Sequence, residues 1–153
     1  MKLKKVFLAL GLFATMFSAS SFSTVSAKSG WADNVFSAQP LLLNQVNFGY
    51  LDSGGDADFY SYYNNSNEIQ YVEFGANPWG NNSSSLNYDV VAHIFDELGN
   101  TINVYHVYDN GMGYGDWSNT NLYPGWKVVW AIAPVNSAST GTDNQYRTRV
   151  RLY

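Results

Sequence analysis

Cysteine is absent from the 153 residues, which excludes a disulfide framework, a zinc–thiolate site and a cysteine nucleophile. Histidine occurs only at His93 and His106, leaving little material for imidazole catalysis or a histidine metal site. Positive charge is scarce too. Lys2, Lys4 and Lys5 sit at the extreme N-terminus; from Lys28 onward five basic side chains face twelve acidic ones, a net charge of −7. Such a chain lacks the basic stripe that pairs with phosphates and releases counterions, so nucleic acid is excluded as a partner. Long hydrophobic runs are missing as well. The main one, residues 6–17, is shorter than the roughly 20 residues a membrane-spanning helix needs.

What the N-terminus does carry is a three-part leader pattern. Three lysines precede the apolar run, and a Ser-rich stretch ends in Val25-Ser26-Ala27. Small residues at −3 and −1 of a cut before Lys28 complete a secretory signal peptide. The expected organisation is a signal peptide at 1–27, a weakly patterned segment at 28–45 and a β-sandwich domain at 46–153. After cleavage the chain is expected to be extracellular, free of the membrane and monomeric. A small, acidic, cysteine-free secreted domain fits a bacterial exporter. The 28–45 segment, with Pro40-Leu41-Leu42-Leu43, reads as a first edge strand or as partly ordered.

From there on, short apolar or aromatic runs alternate with Gly/Asn/Asp/Ser clusters, the residues that accept positive φ or bond their own backbone in turns. Strand candidates fall at 59–63, 69–75, 87–95, 101–108, 127–134 and 146–153, rich in Val, Ile, Tyr, Phe and Trp. Alternation is plain in the last, where Tyr146, Thr148, Val150 and Leu152 oppose Arg147, Arg149 and Arg151: one buried face and one wet face. No stretch shows a 3.6-residue stripe with caps. The pattern predicts an all-β, antiparallel sandwich of jelly-roll or Greek-key type. Twenty-two aromatic residues among positions 28–153 give it a core without disulfides, since each ring buries on the order of 150–250 Å².

Four segments, in order, resemble the bacterial pre-peptidase C-terminal domain, a family of small extracellular sandwiches related to the collagen-binding modules of clostridial collagenases. Asp56-Ala57-Asp58-Phe59-Tyr60-Ser61-Tyr62 is similar to its Asp-x-Asp-aromatic opening strand. Residues 88–100 resemble its apolar strand closed by Asp96, two residues, then Gly99-Asn100. Leu122-Tyr123-Pro124-Gly125 resembles its Leu-x-Pro-Gly turn, and residues 146–152 its closing strand. The resemblance implies a non-catalytic extracellular module; some relatives bind calcium, collagen-like or polysaccharide ligands. This chain departs from the family pattern in carrying no peptidase domain and in its aromatic, Gly-rich 109–117 loop. Pro124-Gly125 suits the centre of a type II turn, and Gly99 the left-handed position of a hairpin loop.

Two constellations stand out. Asp52, Asp56 and Asp58 crowd one Gly-rich turn, with Asp96, Asp89 and Glu97 as possible neighbours, and calcium takes six to eight oxygen ligands from such loops. The same aspartates equally suit turn capping. Trp79, Asn81, Tyr114, Asp116 and Trp117 lie in loop-like, Asn/Gly-rich sequence and form a candidate carbohydrate platform, rings on sugar C–H faces and polar groups on hydroxyls. Those rings could instead cover the ends of the core. The arginine row reads either as a grip on an anionic wall polymer or as a solvated edge. For catalysis there is neither a Gly-x-Ser-x-Gly elbow nor a His-Glu-x-x-His helix, and no carboxylate pair is singled out. The expected function is binding of extracellular polysaccharide, cell-wall or matrix material; a partner-directed protein (toxin-like, inhibitor or structural matrix factor) and a small secreted hydrolase are the alternatives.

Overall fold

A computed structural model describes residues 32–153; the expected signal peptide lies outside the described residues. Nine strands follow one another: β1 (Gln39–Pro40), β2 (Val46–Tyr50), β3 (Asp58–Tyr63), β4 (Gln70–Trp79), β5 (Tyr88–Phe95), β6 (Thr101–His106), β7 (Asp116–Leu122), β8 (Lys127–Pro134) and β9 (Gln145–Leu152). No α-helix occurs among the described residues, only the 3-10 turns Ser83–Ser85 and Ser137–Ser139.

The pairing is nested. β5 pairs with β6, β4 with β7, β3 with β8 and β2 with β9, each antiparallel. This is one long hairpin centred on the β5–β6 turn, rolled up so that alternate pairs land in opposite layers. Further ladders β5–β8 and β4–β9 stitch the layers into sheets of order β1-β3-β8-β5-β6 and β2-β9-β4-β7. The result is a jelly-roll sandwich, as the strand pattern predicts. The turns follow the local chemistry. Gly125 has φ 81° and Trp126 N–H reaches the Tyr123 carbonyl at 3.0 Å, the expected type II turn. At the β5–β6 turn Gly99 has φ 83°, and the Asp96 carboxylate accepts the Leu98 and Asn100 N–H groups.

Between the layers Trp130 is fully buried, its ring 6.0 Å from Tyr60 and 5.5 Å from Phe74. Its indole N–H donates to Thr148 Oγ1 at 2.9 Å, and that hydroxyl donates to the Gly75 carbonyl at 2.7 Å. Removing a ring of this size from water contributes roughly 5 kcal/mol of transfer free energy. A second internal polar chain joins the sheets: Tyr146 donates to Asp58 Oδ2 and receives the Tyr60 hydroxyl at 2.7 Å. Gly49, opposite Tyr146 on β2, leaves the room that this hydroxyl occupies.

One open expectation is decided and two features differ. The 28–45 segment, from Ala32 on, is tied in: β1 pairs parallel with β3, Leu41 is buried, and the Ala32 carbonyl accepts the Phe59 N–H at 2.9 Å. It is the edge-strand alternative that the structure takes. β7 was hidden in sequence because its solvent row is Asn119 and Asn121 and its inward row includes Ser118 and Thr120. β4 runs four residues past Gly75, through Pro78. That proline is tolerated because β7 pairing ends at Ala76, so one side of the strand is open there.

Candidate functional site

The arginine row lies on a central strand, not a sheet edge. β9 sits between β2 and β4, and its wet face shares rows with both neighbours. One row holds Phe48, Arg147 and Asn77; the next holds Val46, Arg149, Gly75 and Trp117; a third holds Arg151, Glu73 and Asn119. Trp79 closes β4 beyond the first row, 42 % exposed.

Each of two arginines lies over an indole. The Arg147 guanidinium carbon is 4.9 Å from the Trp79 ring centre, and that of Arg149 is 4.8 Å from Trp117. A cation over an indole face gains from the ring quadrupole, and the flat guanidinium gains packing besides. Phe48 supports Trp79 from β2 with ring centres 5.3 Å apart. Arg149 and Trp117 flank Gly75, and only a residue without a side chain lets them meet across it. Gly115 does the same beside Trp117, where a Cβ would overlap the indole nitrogen and Asn77 Cβ.

The row is held from within. Arg147 Nε donates to Asn77 Oδ1 at 3.1 Å, and Arg149 donates to Glu73 Oε1 at 3.2 Å. Arg151 grips the same carboxylate with two bonds of 2.7 and 2.9 Å. Partial burial pushes the Glu73 carboxyl upward, yet the bonds and charges of Arg151 and Arg149 bring it below the usual range. Burial, with the charge of Arg149 beside it, lowers Arg147. Next to Trp79 the surface is notched on both sides of Gly80. A groove of about 480 Å³ is lined by Asn77, Trp79, Ser83 and Gly113; one of about 410 Å³ by Asn81, Asn82, Asp143 and Gln145.

The candidate platform is therefore partly assembled, though on strands. Trp79 and Trp117 belong to β4 and β7 and share one sheet face with the arginines. Asn81 is exposed beside the second groove, and Tyr114, 69 % exposed, follows Gly113 of the first. Asp116 is corrected: it points inward, accepts the Asn110 N–H at 3.0 Å, and burial pushes its carboxyl up to about 6. The sequence signal that located this face was the Arg147/Arg149/Arg151 alternation; Phe48, Glu73, Asn77 and Gly75 carried none of their own.

The carboxylates expected to gather for calcium do not converge. Asp58 turns into the core, and burial raises it to about 7. Asp56 caps the turn by accepting the Asp52 N–H at 2.8 Å. Asp96 lies at the other end of the sheet: Asp58 pairs with Ile132 of β8 while Phe95 pairs with Lys127, five residues or about 17 Å away. Glu97 accepts the Trp126 indole N–H at that far end, and Asp89 stands 3.6 Å from His106 Nδ1. Among the described residues no group of three His, Cys, Asp or Glu side chains is placed to hold a metal ion. His93 stacks on Phe95 at 6.3 Å, and burial lowers its pKa.

Neither a family model nor a curated protein matches the sequence. Among solved structures, the pre-peptidase C-terminal domain of a Bacillus anthracis collagenase superposes with a TM-score of 0.52, at 19% identity over 74% of this chain and 94% of that one. The fold is that of a pre-peptidase C-terminal domain. An enzymatically active domain of bacteriophage CBA120 tailspike protein 4 is a weaker likeness, TM-score 0.35 at 11% identity over 68% of this chain and 15% of that one. The four segments that carry the sequence resemblance fall on β3, β5, the β7–β8 turn and β9.

Proposed function

We propose that this chain is an exported, non-catalytic sandwich that binds extracellular polysaccharide, cell-wall or matrix material on the outer face of the β2-β9-β4-β7 sheet. The observation that carries the reading is Trp79. It is a large ring left 42 % exposed, backed by Phe48 and Arg147 so that it keeps one orientation, and it stands between two grooves lined by amides. A fixed indole offers a flat apolar face to sugar C–H groups, and Asn77, Asn81, Asn82 and Gln145 offer donors and acceptors to hydroxyls around it. The likeness to the pre-peptidase C-terminal domain of a collagenase supports an extracellular setting and keeps a protein matrix among the ligands to test.

The test is retention on insoluble polysaccharides, purified cell wall and fibrous collagen, read for wild type and for Trp79→Ala. Retention on a polysaccharide or wall fraction that drops about tenfold in the variant, with an unchanged far-ultraviolet spectrum, is the expected result; loss of a stacked ring is worth roughly 1–2 kcal/mol. Equal retention of both proteins would remove Trp79 from the site. Retention on collagen alone would narrow the ligand to a protein matrix and remove the sugar from the reading.

A further inference from the structure

The same face has a charge unlike the rest of the molecule. Every arginine of the chain, Arg147, Arg149 and Arg151, lies on it, against the single carboxylate of Glu73. The face is thus net positive by two on a protein that, from residue 28 on, is net negative by seven. This segregation has a cost. Arg147 and Arg149 stand two residues apart on one strand, about 7 Å along it, close enough for the charge of Arg149 to act on Arg147. Glu73 bonds to Arg149 and Arg151, while the hydrogen-bond partner of the Arg147 side chain among the described residues is the neutral amide of Asn77.

A guanidinium has five N–H donors in one plane, and Arg147 commits only Nε to Asn77. Its guanidinium carbon lies 4.9 Å from the centre of Trp79, the ring that offers its face to a sugar. A cation over a ring face uses none of its N–H donors in hydrogen bonds. We propose that the Arg147–Arg149 row selects an acidic polysaccharide, its Arg147 fork taking the carboxylate of a uronic acid residue whose neighbouring ring stacks on Trp79. This deepens the polysaccharide reading and rests on it. Carboxylate, rather than any anion, is the commitment because a planar two-oxygen group matches the fork with two parallel bonds. The Arg151–Glu73 pair on the same face is such a two-bond grip, made through Nε and Nη2; Arg147, with Nε on Asn77, would make it through its two Nη groups.

Titration calorimetry with polygalacturonate oligomers and with the same oligomers methyl-esterified tests this without any variant. The acidic form is expected to bind about tenfold or more tightly than the ester, the size of one charge-assisted bidentate contact. Arg147→Lys, which keeps the charge and loses the fork, is expected to lose several-fold more on the acid than on the ester, where it costs only what the Arg147–Trp79 contact gives the ring. Equal affinity for acid and ester, still abolished by Trp79→Ala, would overturn the acidic selection while leaving the polysaccharide reading in place. Dextran sulfate competing as well as polygalacturonate at 0.15 M salt would also overturn it, since a screened, unspecific polyanion attraction would then suffice. A folded wild type that binds no polymer in these titrations or in the pull-down would remove both.

Discussion

At the scale of single residues, Asp58 shows how an acidic side chain read as a candidate ligand becomes an internal one. Its carboxylate is enclosed between the sheets, takes the Tyr146 hydroxyl, and stands near Asp56, Asp33 and Asp52. Burial is the largest influence on it and raises its pKa to about 7, with the neighbouring aspartates adding. The folded state therefore keeps this proton to higher pH than the unfolded chain, where an aspartate titrates near 3.9. By linkage, stability from this group is fully present below about pH 4 and falls as pH rises through about 7. Asp116, raised to about 6, acts in the same direction. Asp58→Asn removes the titration and leaves an acceptor for Tyr146. The melting temperature of wild type minus that of Asp58→Asn should fall between pH 4 and pH 7.5, by an amount corresponding to on the order of 2–4 kcal/mol. A constant difference across that range would show that Asp58 ionises normally.

At the scale of elements, legibility tracked burial. β5, β8 and β9 are flanked by other strands and bury one or both faces, so their apolar periodicity was plain in the residues. β7, an edge strand with Asn, Ser and Thr on it, offered no such signal, and its first residues read as an Asp/Gly-rich loop. Trp79 read as a loop residue because Asn77-Pro78 precedes it and Gly80 follows; only the ladder to β9 keeps those residues extended. Nor can alternation tell which strands lie beside β9, so the arginine row looked as much like an edge as a platform. Long-range pairing makes the site, and that is invisible in local sequence. Gly75 is the residue on which β4 and β7 depend. Its φ is +148°, and a Cβ there would run into the Asp116 backbone carbonyl of the partner strand. Gly75→Ala is expected to cost about 2–3 kcal/mol through strained φ and lost ladder bonds. Because Arg149 and Trp117 meet across this position, Trp117 fluorescence should redden in proportion. A variant as stable as wild type, with unchanged emission, would contradict the close β4–β7 approach.

At the scale of the whole molecule, the absence of cysteine and the surplus of acid must be answered by the interior and by the solvent. Twelve carboxylates against five basic groups from residue 28 on give a net repulsion that favours expansion, and Asp33, Asp52, Asp56 and Asp58 share one end of the sandwich. Opposing it are ion pairs at the surface, of which the Glu73 set, a buried carboxylate under two partly exposed arginines, is the best built. Pairs of that kind contribute little, about 0–1 kcal/mol each, and salt weakens them. The repulsive sum spans distances near the Debye length of about 10 Å at 0.1 M, so salt removes more of it than it removes of the pairs. Raising sodium chloride from 10 to 150 mM should thus raise the melting temperature by a few degrees, while polygalacturonate binding weakens over the same range. Opposite signs of salt response for folding and for ligand are the mark of an acidic body carrying one basic face. A melting temperature that instead falls with salt would mean that the arginine–Glu73 pairs across β4 and β9 contribute more to stability than the acidic repulsion removes.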